Sequence, residues 1–248
     1  MSDPAKAAIV TGASRGVGRA VAETLAAGGW RVVVNYRTDR AGAEGCVEAV
    51  RAHGGSAAAV AADIARADGP RRLFETSQET FGRVDAIVHC ATPAVVRKPY
   101  LETSSDDFRC YFDTYVVGLH ELARLALPAM KDRKFGHIIA VLSSAIAEVP
   151  PNLSAYTVGK AALLAFCQSL AVELGPFNIR VNAVTPSLIA GPHTDALGPA
   201  VREGVARRTP LRRLAEADDV ARAIEFLLGD DASFVSGANL PVTGGFVI

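Results

Sequence analysis

The sequence is short of the features that mark several protein classes. Four cysteines occur in 248 residues, Cys46, Cys90, Cys110 and Cys167, with no Cys-x-x-Cys pair. Thiols scattered in this way indicate neither a zinc site nor a disulfide framework, and no metal is expected. Charge of one sign is not in excess: 26 Lys and Arg balance 26 Asp and Glu. That balance removes any general pull toward nucleic acid or an anionic membrane. No apolar run is expected to reach the roughly 18 residues of a membrane helix. Residues 1–6 hold no apolar signal core. The expectation is a cytoplasmic protein without membrane or nucleic-acid partners.

What the chain does have is a globular composition, half hydrophobic and 21% charged. Apolar, often β-branched runs at 7–10, 31–34, 57–62, 84–88, 138–141, 179–184 and 239–242 alternate with helical patterns. The helical patterns cover 16–27, 41–53, 70–81, 106–133, 154–174 and 217–228. Such alternation argues for a parallel sheet with helices on both faces, a doubly wound α/β fold of Rossmann type. The strand runs lack strict apolar-polar alternation, as expected when both faces are covered. No repeat, linker or composition break appears, so residues 1–248 read as a single domain. The least regular segment, 186–210, is long for a connection within a compact domain and reads as a lid.

Glycines punctuate the first strand-to-helix turn, Thr11-Gly12-Ala13-Ser14-Arg15-Gly16-Val17-Gly18. Glycine lets the backbone turn tightly and approach a pyrophosphate, and the helix N-terminus offers unpaired N–H donors. A Gly-rich turn alone is weak evidence; its place at the first βα turn of an alternating chain strengthens it. Gly12, Ser14, Arg15, Gly16, Val17 and Gly18 are therefore expected to hold a dinucleotide. The second strand ends Asn35-Tyr36-Arg37-Thr38, with no carboxylate before Asp39. A carboxylate there would bond a ribose 2′-hydroxyl and repel a 2′-phosphate, whereas Arg15 and Arg37 can both pair with phosphate. Tyr36 and Arg37 thus join the cofactor set, and NADPH is expected over NADH.

Tyr156 and Lys160 lie four residues apart at the start of a helix, hence on one face. A cation there could stabilise a phenolate. Bringing a Tyr from about 10 to about 7 takes roughly three pKa units, about 4 kcal/mol. Ser143 lies thirteen residues upstream, at the carboxyl end of the fifth strand, where open α/β sheets place ligands.

With these residues in view, the chain resembles the short-chain dehydrogenase/reductase family over nearly its whole length, and 3-oxoacyl-carrier-protein reductases in particular. The matching residues are 11–18, Asp63-Ile64, Ser143, Tyr156 with Lys160, residues 180–186, Ser236-Gly237 and Gly244-Gly245. The resemblance implies that Tyr156 is the general acid or base, that Ser143 bonds the substrate oxygen, and that Lys160 bonds the nicotinamide ribose and tunes Tyr156. It implies adenine contacts at Asp63 and Ile64, and further cofactor contacts at Ala91 and from Pro186 to Ile189. Ser144 is the neighbour with which Ser143 could be confused. The substrate pocket is expected to include Tyr115, Ser143, Ala145 and Leu188. The implied reaction is NADPH-dependent reduction of a ketone, a small molecule or a 3-oxoacyl group on a carrier protein. The implied assembly is a homotetramer or dimer built on the long helices.

The chain departs from the family pattern at four places. His89-Cys90-Ala91-Thr92 replaces Asn-Asn-Ala-Gly, Tyr115 stands at the usual relay Asn, Ser187 follows Pro186 in place of Gly, and Gly191 replaces a Thr. Tyr115 either points its phenol into the pocket and narrows it, the favoured reading, or packs outward while water reaches Lys160 by another path. Two alternatives stay open: an alcohol dehydrogenase working oxidatively on a small metabolite, and a weakly active cofactor-binding subunit that supports a partner. His89 and Cys90 read as packing beneath the cofactor. His53, His120, His137 and His193 read as surface or helix-end residues. The basic clusters Lys131/Arg133/Lys134 and Arg207/Arg208/Arg212/Arg213 read as solvated faces, either of which could flank the pocket mouth.

Overall fold

The computed structural model describes residues 5–246. Seven strands run through it: β1 (Ala7–Thr11), β2 (Arg31–Tyr36), β3 (Ser56–Ala61), β4 (Ala86–His89), β5 (Gly136–Val141), β6 (Ile179–Pro186) and β7 (Asn239–Val242). The α-helices between them are α1 (Gly16–Ala27), α2 (Arg40–Ala52), α3 (Asp68–Phe81), α4 (Ser105–Phe112), α5 (Gly118–Arg133), α6 (Ala145–Glu148), α7 (Ser154–Leu174), α8 (Pro192–Asp195), α9 (Pro199–Arg208) and α10 (Ala217–Leu228). All strand pairs are parallel, in the order β3-β2-β1-β4-β5-β6-β7. This is the single doubly wound sheet that the alternation predicts.

Residue alternation along each strand divides the apolar side chains between two cores. Ile9, Val33, Ile87, Ile138 and Val181 pack on one face, with Leu73 of α3, Leu122 of α5 and Leu163 of α7. Val10, Val34, Val88, Ile139 and Val184 pack on the other, with Leu25 of α1, Val50 of α2 and Ile224 of α10. Each such side chain, fully buried, contributes about 1.5–3 kcal/mol by leaving water. The strand order reverses between β1 and β4, which opens a crevice at the carboxyl ends of the strands.

Several expectations need correction. The helix expected over 106–133 is broken by a π turn, Asp113–Val117, between α4 and α5. Such an inserted residue re-aims side chains and frees a backbone carbonyl, a change that periodicity in the sequence does not reveal. The segment 186–210 is not irregular: it carries α8 and α9, each with proline in its first turn. Proline fits there because its missing N–H would be unpaired anyway.

The stretch Ser154–Phe177 is long and apolar enough to cross a membrane by length and composition. Here α7 packs against β6 and α4 as a layer of the fold. His137 is a buried β5 residue and no surface group. His53 and His120 are exposed, and the His193 side chain lies outside the described residues. Arg133 bonds the Val84 carbonyl at 2.8 Å and the Asp85 carboxylate at 3.3 Å. The Lys131/Arg133/Lys134 cluster is therefore at the amino ends of the strands, opposite the crevice.

Candidate active site

The phosphate-loop half of the crevice is organised by backbone. Gly12 donates its N–H to Asn35 Oδ1 at 3.1 Å, and Ala13 donates to the Asn35 carbonyl at 2.7 Å. The Asn35 amide reaches on to the Ala62 carbonyl at 2.9 Å, tying β1, β2 and the end of β3 together. Gly12 has φ +64°, and a Cβ on it would lie 2.8 Å from Ala91 Cα. A Cβ on Gly18 would run into the Gly12 carbonyl. Only glycine permits both approaches.

The N-cap of α1, Arg15, makes no side-chain cap hydrogen bond. Its first N–H groups are thus left to an anion, as a pyrophosphate site requires. Arg15 and Arg37 are exposed, while Asp39 is engaged in accepting from the Gly42 N–H at 3.0 Å to cap α2. The carboxylate that follows the end of β2 is thus turned to its own helix. Asp63 and Ile64 follow β3, and the Asp63 carboxylate accepts from the Ala65 N–H at 3.1 Å. Pro186 closes β6, and Ile189 bridges to Ala215. Ser14, Val17, Tyr36 and Ala91 sit along the same crevice edge. The residues present fit a dinucleotide.

The other half is organised by side chains. His89 is buried and neutral: burial and the nearby Lys160 charge hold its pKa down to about 3. Its Nε2 bonds the Thr114 carbonyl at 3.1 Å, which can only accept, so Nε2 carries the proton. Its Nδ1 then accepts from the Thr11 hydroxyl at 2.9 Å. Thr11 Oγ1 in turn accepts from the N–H groups of Cys90 at 3.1 Å and Ala91 at 3.0 Å. This chain links β1, the loop after β4 and the π turn. His89 is thus packing beneath the crevice, with no metal-ligand cluster among the described residues.

Tyr156 sits in the first turn of α7, and burial pushes its phenol above the usual value while a hydrogen bond with Ser143 opposes the rise. Ser144 turns instead to Glu148, with Oγ 2.6 Å from Oε1. Of the two neighbouring serines, Ser143 meets the tyrosine. The Lys160 side chain turns into the fold. It is buried, its ammonium donates to the Val141 carbonyl at 2.7 Å, and burial lowers its pKa to about 7. The four-residue spacing gives a shared face, but the long side chain runs under the tyrosine toward β5.

A cavity of about 250 Å³ opens beside Tyr156, walled by Ala94, Val96, Tyr111, Leu153 and Ala155. Arg37, Lys98 and Asp107 give it a polar side, the last two paired at 2.7 and 2.9 Å. Asp107 also accepts from the Ser104 N–H and hydroxyl, at 2.8 Å each, so its charge is well satisfied. The expected pocket residues Tyr115, Ser143, Ala145 and Leu188 do not line this cavity. Tyr115 is fully buried beneath the site, with its phenol oxygen 2.6 Å from Thr92 Oγ1. The expectation that it narrows the pocket is thereby overturned, because the π turn carries the ring under the floor. The sequence reading missed Asn35 as the loop's anchor and the Lys98–Asp107 pair. A polar residue inside the second apolar run was the available signal for Asn35; nothing local marked the pair.

A fold of this topology, with a glycine turn at the first crossover and a Ser–Tyr pair at the crevice, defines a class of nicotinamide-dependent enzymes. The chain belongs to the short-chain dehydrogenase/reductase family: residues 12–247 match the family described as Enoyl-(Acyl carrier protein) reductase. It is therefore an oxidoreductase that works with a nicotinamide cofactor on a ketone/alcohol pair. Among its relatives is the L-rhamnose 1-dehydrogenase (NAD(P)(+)) of Azotobacter vinelandii, 39% identical over 98% of this chain and 97% of that protein. Another is a 3-oxoacyl-[acyl-carrier-protein] reductase of Staphylococcus aureus, 34% identical over 97% of each. The crystal structure of acetoin dehydrogenase from Enterobacter cloacae superposes with a TM-score of 0.89, at 33% identity over 99% of this chain and 96% of that one.

Proposed function

We propose that the protein reduces a compact ketone with NADPH, Tyr156 delivering the proton. The observation that carries this reading is Tyr156, hydrogen-bonded to Ser143, on the wall of a cavity of about 250 Å³ at the carboxyl edge of the sheet. Tyr156 is held protonated by burial, the form that reduction requires. Ser143 bonds the carbonyl oxygen and polarises it; the Tyr156 phenol gives its proton to that oxygen. The cofactor, when bound, supplies hydride to the carbonyl carbon. Positioned proton transfer of this kind is worth about 10² to 10⁴ in rate. Gly12 to Gly18 hold the pyrophosphate, and Arg15 and Arg37 take the 2′-phosphate. Lys160 holds positive charge under the nicotinamide ribose, and the segment 186–210 closes over the bound pair.

A free substrate is favoured over a carrier-bound one by the lining of the cavity, to which none of Arg207, Arg208, Arg212 and Arg213 contributes. Arg213 is paired with Asp219, Arg207 lies 3.5 Å from Glu203, and Arg208 stacks on Phe246. Self-association is supported by α7, whose apolar window is only 28% buried in the single chain. The test is a steady-state assay with NADPH and NADH against diacetyl, acetoin and a 3-oxoacyl thioester, free and carrier-bound, together with oxidation of L-rhamnose by NADP and NAD. NADPH-dependent reduction of the small ketones is expected. Turnover confined to the carrier-bound thioester would select the second reading, and oxidation of L-rhamnose alone would reverse the direction.

A further inference from the structure

Lys160 is a buried cation with no carboxylate beside it. The titratable groups that face it are the thiols of Cys90 and Cys167 and the imidazole of His89. One carbonyl, that of Val141, accepts from its ammonium. A buried charge is costly unless it is paired or hydrogen-bonded, so something else must offset this one. The group against it is the face of Tyr115, whose ring centroid lies 4.0 Å from Nζ.

The ring is itself held on every side. Tyr111 stacks on it at 5.8 Å with a 27° interplanar angle, and Tyr156 meets it edge-on at 6.3 Å. The Tyr115 hydroxyl is tied to Thr92, in the loop after β4. The π turn carries the ring to this place, and His89 binds the carbonyl of the preceding residue, Thr114. Gly159, next to Lys160, lets the helix come close: a Cβ there would lie 3.0 Å from the Tyr115 ring. Three unusual residues, His89, Thr92 and Tyr115, thus form one connected support beneath one ammonium.

We infer that Tyr115 is a positioning residue for Lys160: its ring face, fixed by Thr92 and the π turn, holds the ammonium in place and keeps it charged by a cation–π contact. The electrostatics favour the cation when a desolvated ammonium lies over an aromatic face. Lys160 then stays poised beneath Tyr156 without a side-chain amide nearby. The inference rests on the reading of Lys160 as part of the reductive site, but its test uses the free chain and does not depend on turnover.

The sequence has five lysines, so lysine labelled with ¹³C at Cε gives few NMR signals, and Lys160→Arg assigns the one of interest. Its midpoint is expected near 7 in the wild type. Tyr115→Phe, which keeps the ring, should leave that midpoint unchanged. Tyr115→Leu should lower it by about one unit, a tenfold shift toward the neutral amine. Should the Leu variant fail to fold, pentafluorophenylalanine at 115 keeps the shape while removing electron density from the face, and should lower the midpoint likewise. An unchanged midpoint in the Leu or fluorinated protein would overturn the inference. A Phe variant shifted as far as Leu would overturn it too, because the hydroxyl and not the ring would then be the support. Inactivity of every variant and of the wild type on the substrate panel would count against the proposed function and leave this titration standing.

Discussion

The two halves of the crevice are built by different means. Around Gly12 the chain is fixed by backbone N–H groups, by Asn35, and by contacts too close for any Cβ. Around Tyr156 it is fixed by side chains that hold one another: Thr11 with His89, Thr92 with Tyr115, Tyr115 with Lys160. A backbone-built site constrains the sequence to glycine and a few anchors. A side-chain-built site can be rebuilt with other residues, provided that several change together. His89, Thr92 and Tyr115, three of the residues that depart from the resemblance, all belong to the second half.

The sharpest way to separate the halves is Tyr156→Phe. It should lower kcat on the order of 10² or more, because the proton donor is lost. The Kd for NADPH, set in the other half, should stay within about twofold of wild type. Steady-state kinetics with fluorescence titration of the cofactor checks both. Near-normal turnover would sink the assignment of Tyr156.

The next effect is on stability in acid. His89 and His137 are both buried, and each has its pKa lowered to about 3 from an ordinary 6.5. The unfolded chain therefore binds more protons than the fold between those values. Stability is fully present above 6.5 and is lost as pH falls toward 3. Each histidine should cost about 2 kcal/mol by pH 5. His89→Gln can keep both hydrogen bonds without the titration, so its loss between pH 7 and pH 5 should be about half that of wild type. Urea unfolding at the two pH values measures it. Equal acid losses in the two proteins would show that His89 does not titrate on unfolding.

A smaller effect should come from Arg37→Ala, on the backbone-built side. Arg37 is exposed and Asp39 is occupied with its own helix. Removing one phosphate-pairing guanidinium should reduce the NADPH-over-NADH preference about tenfold, or about 1.4 kcal/mol. Titration of both reduced cofactors reads the ratio, and an unchanged ratio would place the 2′-phosphate elsewhere.

How far the sequence could be read follows the same division. The sheet, its order of elements and the glycine turn were legible because β-branched runs, helical periodicity and glycine spacing are local signals. Ser143, Tyr156 and Lys160 could be named, but not the direction of Lys160, since spacing sets a shared helix face and not where a long side chain ends. Tyr115 was favoured in the pocket because a buried phenol needs a polar partner and the site offers one, but Thr92 supplies that partner under the floor. His137 looked like a surface group because nothing in an isolated histidine announces the inner strand and the Trp30 and Phe135 rings that bury it. The Lys98–Asp107 pair joins two segments whose approach depends on the tertiary fold, which no local pattern encodes.

The smallest expected effect lies in how the two halves obtain positive φ angles. The phosphate loop uses glycine, Gly12 at +64° and Gly16 at +55°. The segment between Ser143 and Tyr156 uses Val149 at +46° and Asn152 at +63°. For asparagine that conformation is tolerable, but for a β-branched valine it is strained. Val149 is 67% exposed, so its side chain gains little by burial there. Its N–H still donates to the Ala145 carbonyl at 3.0 Å, closing α6, and any residue can keep that bond. Val149→Asn should therefore stabilise the protein by about 0.5–1 kcal/mol, read as a higher urea midpoint at unchanged slope. The kinetic result then decides what the strain is for. An unchanged kcat would make it incidental to the loop. A kcat that falls while stability rises would mean that the strained turn holds the cavity wall at Leu153 and Ala155 in its working position. A midpoint that does not rise would remove the strain altogether, and with it this difference between the halves.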